Sequence, residues 1–278
     1  MKKLALTSLL AVFAISGAHA ANVIDGNPLY MPKAGHFYSE TSLASHSENT
    51  DSWMLAEEFG YGITDNFALE VGITLPEYEN FDVYGWQDLS LNAIFRAIDK
   101  GGWKADLYAG YQAGSVGLPA GEGLGMMIAA TEDDTYWFDK EIIHYTWTAG
   151  IRGGYVGYGW TVAGHFAYNY FNTESFNWGD EGFHQLQLGL DAQLVLDANW
   201  NLVAGVEYTG YTDDEVRNGG SWDGMFGVNY NINPSAFVGA YVGVTMDHWK
   251  GDIGKEDAEK GWGFEDGFGF GMKFGIDF

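Results

Sequence analysis

The sequence predicts an all-β chain: one antiparallel, up-and-down transmembrane β-barrel of about twelve strands, with short turns at one end and long loops at the other. Three observations predict it. Apolar side chains recur at every second position nearly throughout, turn-forming clusters alternate with longer polar links, and aromatic residues gather toward strand ends. A period of two puts successive side chains on opposite faces of a strand.

Residues 1–20 have the form of a cleaved signal peptide, leaving 21–278 as a single barrel domain. Lys2 and Lys3 make a positive n-region, Leu4 to Ile15 is an almost unbroken apolar run, and Ala18-His19-Ala20 supplies small residues for cleavage before Ala21. The run is too short for a membrane helix and no stop-transfer pattern follows it. The chain is therefore expected to leave the cytoplasm.

A net charge of −25, made more negative by loss of the two leader lysines, argues against a basic face for nucleic acid or anionic lipid. With no cysteine there is no disulfide framework, thiolate metal site or cysteine nucleophile. An aromatic content of 17% argues against disorder. No apolar stretch after residue 20 is long enough for a membrane helix. Crossing a membrane then requires a closed barrel, the other way to satisfy every backbone group in lipid.

The strands are expected near 35–45, 52–61, 67–76, 85–98, 103–114, 141–152, 159–171, 183–196, 200–212, 221–232, 236–247 and 266–278. The alternation is clear in several. Phe67, Leu69, Val71, Ile73 and Leu75 interleave with Ala68, Glu70, Gly72 and Thr74, while Leu186, Leu188, Leu190, Ala192 and Leu194 interleave with Gln187, Gly189, Asp191 and Gln193. Short turns at 62–66, 99–102, 153–159, 197–199 and 233–235 are rich in Gly, Asn, Asp or Pro. Longer polar links fall at 45–51, 76–84, 115–140, 172–182, 213–220 and 248–265. Strict alternation of the two kinds makes successive hairpins and puts both chain ends at the short-turn, periplasmic side. Two places fit less well. The strand near 35–45 alternates weakly, and Glu57-Glu58 puts a carboxylate on each face, one of them expected at the lipid near the periplasmic rim.

Alternation alone would also suit a soluble sandwich, whose apolar face fills a core and whose aromatics need no set position. Here Trp86, Trp103, Trp160, Trp200, Trp222 and Phe237 sit near strand starts, with Tyr61, Tyr111, Phe171 and Tyr211 near ends. Tyr and Trp favour the headgroup level, so two girdles around an aliphatic band point to lipid.

At the C-terminus Phe268, Phe270, Met272, Phe274, Ile276 and Phe278 occupy every second position against Gly269, Gly271, Lys273, Gly275 and Asp277. In this the chain resembles Gram-negative outer-membrane β-barrel proteins, which end in an amphipathic strand with a terminal aromatic. The resemblance implies residence in the outer membrane among lipid and lipopolysaccharide. It also implies that Phe274, Ile276 and Phe278 are read by the barrel-assembly machinery. Glu58-Phe59-Gly60-Tyr61-Gly62-Ile63-Thr64-Asp65-Asn66 is similar to a segment of porin-like, transporter-type barrels, from which no functional residue is carried over.

If the apolar phase meets lipid, the lumen receives Glu70, Asp88, Arg96, Lys104, Asp106, His144, Arg152, His165, Asp191, Glu207 and Lys273, with Asp277 at the end. These charges either pair into a network that plugs the barrel or line a hydrated passage whose selectivity they set. Gly72, Gly189, Gly205, Gly227, Gly269 and Gly271 on the same phase suggest open space. The least polar link, 115–140, carries Leu124 to Ala130 and would fold over or into the mouth or pack on itself. Acidic runs at Glu132-Asp133-Asp134, Asp213-Asp214-Glu215, Glu256-Asp257 with Glu259, and Glu265-Asp266 have no EF-hand spacing. They read as solvated loops that favour cations at the mouth, with divalent cations able to bridge them to lipopolysaccharide. His144, His165 and His184 lack a serine at a motif spacing, and Asp247-His248 reads as a surface pair in a loop, so no enzyme, metal site or cofactor is expected. The functional expectation is a narrow porin-like channel for small solutes; the alternative is a structural or surface-interaction barrel with a plugged lumen, and an outer-membrane enzyme ranks below both.

Overall fold

A computed structural model describes residues 27–47, 49–78, 83–84, 88–116, 142–175, 179–213, 217–251, 258–264 and 267–278. Its strands are β1 (Phe37–His46), β2 (Asn49–Thr64), β3 (Phe67–Tyr78), β4 (Val83–Tyr84), β5 (Asp88–Lys100), β6 (Trp103–Val116), β7 (Ile142–Val156), β8 (Trp160–Ser175), β9 (Gly179–Val195), β10 (Trp200–Asp213), β11 (Arg217–Asn233), β12 (Ala236–Gly251), β13 (Ala258–Phe264) and β14 (Gly269–Asp277). Each pairs antiparallel with its neighbour, and β14 returns to β1 from Tyr38↔Asp277 to His46↔Gly269. Twelve strands close the ring, with β4 on β3 and β13 on β12 as additions. Closure leaves the ring no unpaired edge, which lipid would not tolerate.

The local chemistry of the short turns explains where strands stop. Gly101 and Gly102 both have positive φ, 62° and 86°, as a two-residue hairpin turn of the twist-matched type requires. Asp197 Oδ1 accepts from the backbone N–H of Asn199 and Trp200 at 2.8 and 2.9 Å. Asn233 Oδ1 accepts from that of Ser235 at 2.8 Å. At the opposite end several expected loops shrink. Strands run on through most of 45–51, 172–182 and 213–220. Asp247 and His248 likewise lie in β12, with Asp247 buried on the inward face. Loop residues 117–141, including Leu124 to Ala130, lie outside the described residues. So do Asp214, Glu215 and the acidic runs 132–134, 256–257 and 265–266; Asp213 and Glu259 are on strands whose side chains there are not described.

Burial is inverted relative to a soluble fold. Asn169, Gln185, Gln187 and Asn201 are buried, while Leu188, Leu190 and Phe226 are more than half exposed. A water-soluble sandwich would bury the leucines. The exposed apolar wall is bounded by two aromatic belts. At the short-turn end Phe37 stacks on Tyr61 (4.4 Å between centroids), Trp103 meets Tyr155 (5.2 Å), and Trp200 meets Tyr230 (4.8 Å). Toward the other end Trp53 meets Phe270 (5.9 Å), Tyr111 meets Trp147 (4.6 Å), and Tyr208 meets Trp222 (5.1 Å). Two expected girdle residues do not belong. Phe237 points inward and packs with Tyr38, and Phe171 falls in the inward phase of β8. Proximity to a strand end says nothing about which face a ring occupies. Trp86 lies outside the described residues, as does the side chain of Tyr211.

Glu57 takes the outward phase of β2, but not near the rim. It stands four positions from Trp53 of one belt and four from Tyr61 of the other, midway across the apolar band. Ser39 Oγ and Thr41 Oγ1 of β1 donate to its two carboxyl oxygens at 2.6 and 2.5 Å. The weak alternation of β1 is thus the supply of hydroxyls for this carboxyl.

Candidate functional site

The inner wall is built from the alternate phase of every strand. Glu70, Arg96, Asp106, Arg152 and Glu207 lie there buried, and His165, Asp191, Lys104 and Lys273 partly so. The side chains of Asp88 and His144 lie outside the described residues. Among the described residues most inward charges fall into three clusters rather than rings.

Near the short-turn end, Asp106 of β6 is held between two guanidiniums. Arg96 of β5 donates through Nε and Nη2 at 2.8 and 3.0 Å, and Arg152 of β7 donates through Nε at 2.7 Å. Register makes this: Arg96 pairs with Asp106, and Asp106 with Arg152, across adjacent ladders. Lys104 turns instead to the exposed Asp99 at 3.1 Å. Next around the ring, on β14 and β1 to β3, Lys273 donates to Glu40 at 3.0 Å, and the buried Tyr38 hydroxyl contacts both Glu58 and Glu70. Farther along, His165 of β8 bridges Asp191 of β9 at 3.0 Å and Glu207 of β10 at 2.8 Å. Gln187 extends this toward Asn169 and Gln185, and Asp223 accepts from Ser221 and Thr245 at 3.1 and 2.6 Å.

The inward glycines do not open the lumen. A Cβ at Gly189 would lie 2.2 Å from the His165 ring, and one at Gly271 would lie 2.4 Å from the Tyr241 hydroxyl. Gly205 is filled by Asp191 and Gly72 by Ser90. Each is a slot in the wall into which a side chain of the neighbouring strand lies flat. The same holds for Gly60 under Tyr38 and Gly275 under Phe237. At these positions glycine marks a neighbouring side chain, not a void.

The lumen also holds a piece of chain that the strand pattern did not reveal. Residues 27–33, ahead of β1, fold back inside the short-turn end. Asn27-Pro28 starts a tight turn in which Asn27 Oδ1 accepts from Leu29 N and Asn27 O from Tyr30 N, both at 3.0 Å. Arg96 Nη2 then donates to the Leu29 carbonyl at 2.6 Å and Arg152 Nη2 to the Tyr30 carbonyl at 2.8 Å. The Tyr30 hydroxyl donates to Asp277 at 2.9 Å. Burial, with that carboxylate beside it, holds the Tyr30 phenol above its ordinary range, so it remains a donor. Met31 packs among Ala68, Ile94, Tyr108 and Ala167 of β3, β5, β6 and β8, while Tyr30 packs against Tyr38 and Phe237 on the far side. Together the two side chains span the lumen. The signal for this segment was present in Asn27-Pro28 followed by Leu29-Tyr30-Met31, an apolar cluster behind a turn where no strand was due.

A closed antiparallel ring with an apolar exterior, aromatic belts and a polar interior is a transmembrane β-barrel. No protein-family profile and no curated protein matches the sequence. Among solved structures the chain is similar to the NanC porin, at 6% identity over 87% of this chain and 98% of that one, TM-score 0.55. It is also similar to the translocator domain of the autotransporter NalP from Neisseria meningitidis, at 13% identity over 100% and 99% of the two chains, TM-score 0.52. At such identities the likeness is one of fold, and the fold is that of the outer-membrane β-barrels.

Proposed function

We propose that this chain is a Gram-negative outer-membrane channel, a narrow non-enzymatic passage for small hydrophilic solutes that favours cations. The observation that carries this reading is the charge balance of the inner wall. Asp106 is shared by Arg96 and Arg152, and Lys273 is matched by Glu40. Against the one arginine charge left over and His165, Glu58, Glu70, Asp191, Glu207, Asp223 and Asp247 face the lumen. Acidic walls around a narrow lumen raise the local cation concentration. External acidic runs that meet lipopolysaccharide, with or without divalent cations, would add to the same field. The porin among the structural neighbours is consistent with this assignment.

The test is conductance of the purified, folded protein in a planar bilayer under a KCl gradient. Discrete steps with a reversal potential on the cation side are expected. A reversal on the anion side overturns the preference. Silence of the folded barrel, both intact and lacking residues 27–33, overturns passage.

A structural barrel with a plugged lumen is the second reading, favoured by Met31 and Tyr30 across the lumen and by the burial of Asn169, Gln185 and Gln187. It predicts that deleting the gene weakens the envelope against detergent without changing solute uptake. Unchanged envelope integrity would count against it.

A further inference from the structure

We propose that residues 27–33 form a displaceable gate at the short-turn end of the barrel, hinged at Gly35 and latched by Arg96, Arg152 and Asp277; this deepens the passage reading and rests on it. At the short-turn end two consecutive side chains of the segment reach opposite walls. Met31 meets the β3–β8 wall and Tyr30 the Tyr38–Phe237 pair, so withdrawing one short piece of chain clears both sides at once.

The segment is seated on the barrel without belonging to its sheet. β1 joins β14 and β2 from Phe37 onward, and among the described residues no ladder includes 27–33. Both arginines grip main-chain carbonyls, and both keep Asp106 as their own counterion. Withdrawal therefore strands no carboxylate. It returns two guanidinium N–H groups, two carbonyls and the Tyr30–Asp277 pair to water in the lumen, where hydration replaces each lost hydrogen bond.

The connection to β1 has the form of a hinge. Gly35 sits at φ +79°, with nothing within 4 Å of the position a Cβ would take. Its N–H donates to Gly62 O at 2.7 Å, and Gly62 lies so close to Lys33 O that a Cβ there would fall 2.0 Å away. Turning about Gly35 therefore also releases the contact of Lys33 with Gly62 that seats the base on β2, while the tip stays a compact turn closed on Asn27. A rigid tip on a glycine pivot moves as a unit.

The chain has no cysteine, so a disulfide can lock the tip without background. The experiment compares the wild type, Met31→Cys with Ala167→Cys, the two single variants, and a deletion of 27–33, all in planar bilayers. Folding is checked by heat-dependent gel mobility and bond formation by mass spectrometry. The reduced pair is expected to conduct like the single variants, the oxidised pair to fall to baseline, and reductant to restore the current. The deletion is expected to stay open with larger steps. Equal currents from oxidised and reduced pairs overturn the gate. So does a deletion that conducts beside intact proteins that never do, which would make the segment a fixed plug and leave passage standing. A folded deletion variant that is silent removes the passage reading itself, and the gate with it.

Discussion

The guanidinium of Arg96 donates to the main-chain carbonyl of Leu29 at 2.6 Å, joining residues 67 positions apart while the same side chain holds Asp106 in a two-pronged pair. One arginine thus serves the wall and the segment lodged inside it. Its partner Arg152 repeats the arrangement one residue along, at Tyr30. The central acid of this set carries the first expectation.

Replacing Asp106 by Asn leaves two buried guanidiniums without the carboxylate they share, Arg96 keeping only the exposed Asp99 at 3.8 Å. The loss of stability is expected to be about 3–5 kcal/mol, the scale for removing one partner of a buried pair. Urea unfolding in phospholipid bilayers reads it, and Lys104→Gln, at the more exposed Asp99 pair, should cost about 0–1 kcal/mol. Equal losses would mean that the buried set is not the anchor it appears in the geometry.

Glycine slots predict a sharp contrast between two similar substitutions. Gly189→Ala drives a methyl group into the His165 ring and should cost about 1–3 kcal/mol while displacing His165 from Asp191 and Glu207. Gly164→Ala, whose nearest neighbour is a Leu190 methyl at 3.5 Å, should be tolerated. Thermal unfolding of the two variants in one detergent measures the difference.

Glu57 tests the position of the membrane. If its level is the bilayer midplane, Glu57→Lys should destabilise folding into lipid vesicles by about 2–4 kcal/mol. A lysine at the outward rim position, Ile63→Lys, should cost only about 0–1 kcal/mol for its charge. Similar values at both sites would move the apolar band away from Glu57.

Phe278 closes the ring against Phe37, with backbone bonds of 2.8 and 2.9 Å in both directions and rings 6.1 Å apart. Phe278→Ala should lower the amount of barrel reaching the outer membrane in cells, read by membrane fractionation. Refolding into detergent should be little changed, because the backbone pair survives the substitution. A matching refolding defect would assign Phe278 to closure alone.

The strand pattern of this chain is a local property, and it is legible because lipid and lumen impose opposite demands on alternate residues. Leu186 to Leu194 on one phase and Gln187 to Gln193 on the other settle which face each side chain takes before any tertiary contact is known. Membership of the inner wall was readable in the same way for Glu70, Arg96, Asp106, Arg152, His165 and Lys273. Their partners were not. Whether Asp106 meets one arginine or two depends on register across two ladders, which hairpin turns set only to within a residue or two.

What the tertiary structure alone decided is how the interior is filled. A glycine in sequence is a missing side chain; only the neighbouring strand shows that Tyr38, His165 or Tyr241 lies across it. Residues 27–33 carry no period of two because they pair with no strand, so the rule that found the barrel could not place them. Their position follows from two carbonyls meeting two arginines over long stretches of chain, and from Met31 and Tyr30 fitting the space between opposite walls. Alternation determined the barrel and its orientation to lipid; the contents of its lumen depend on contacts between residues that only closure of the ring brings together.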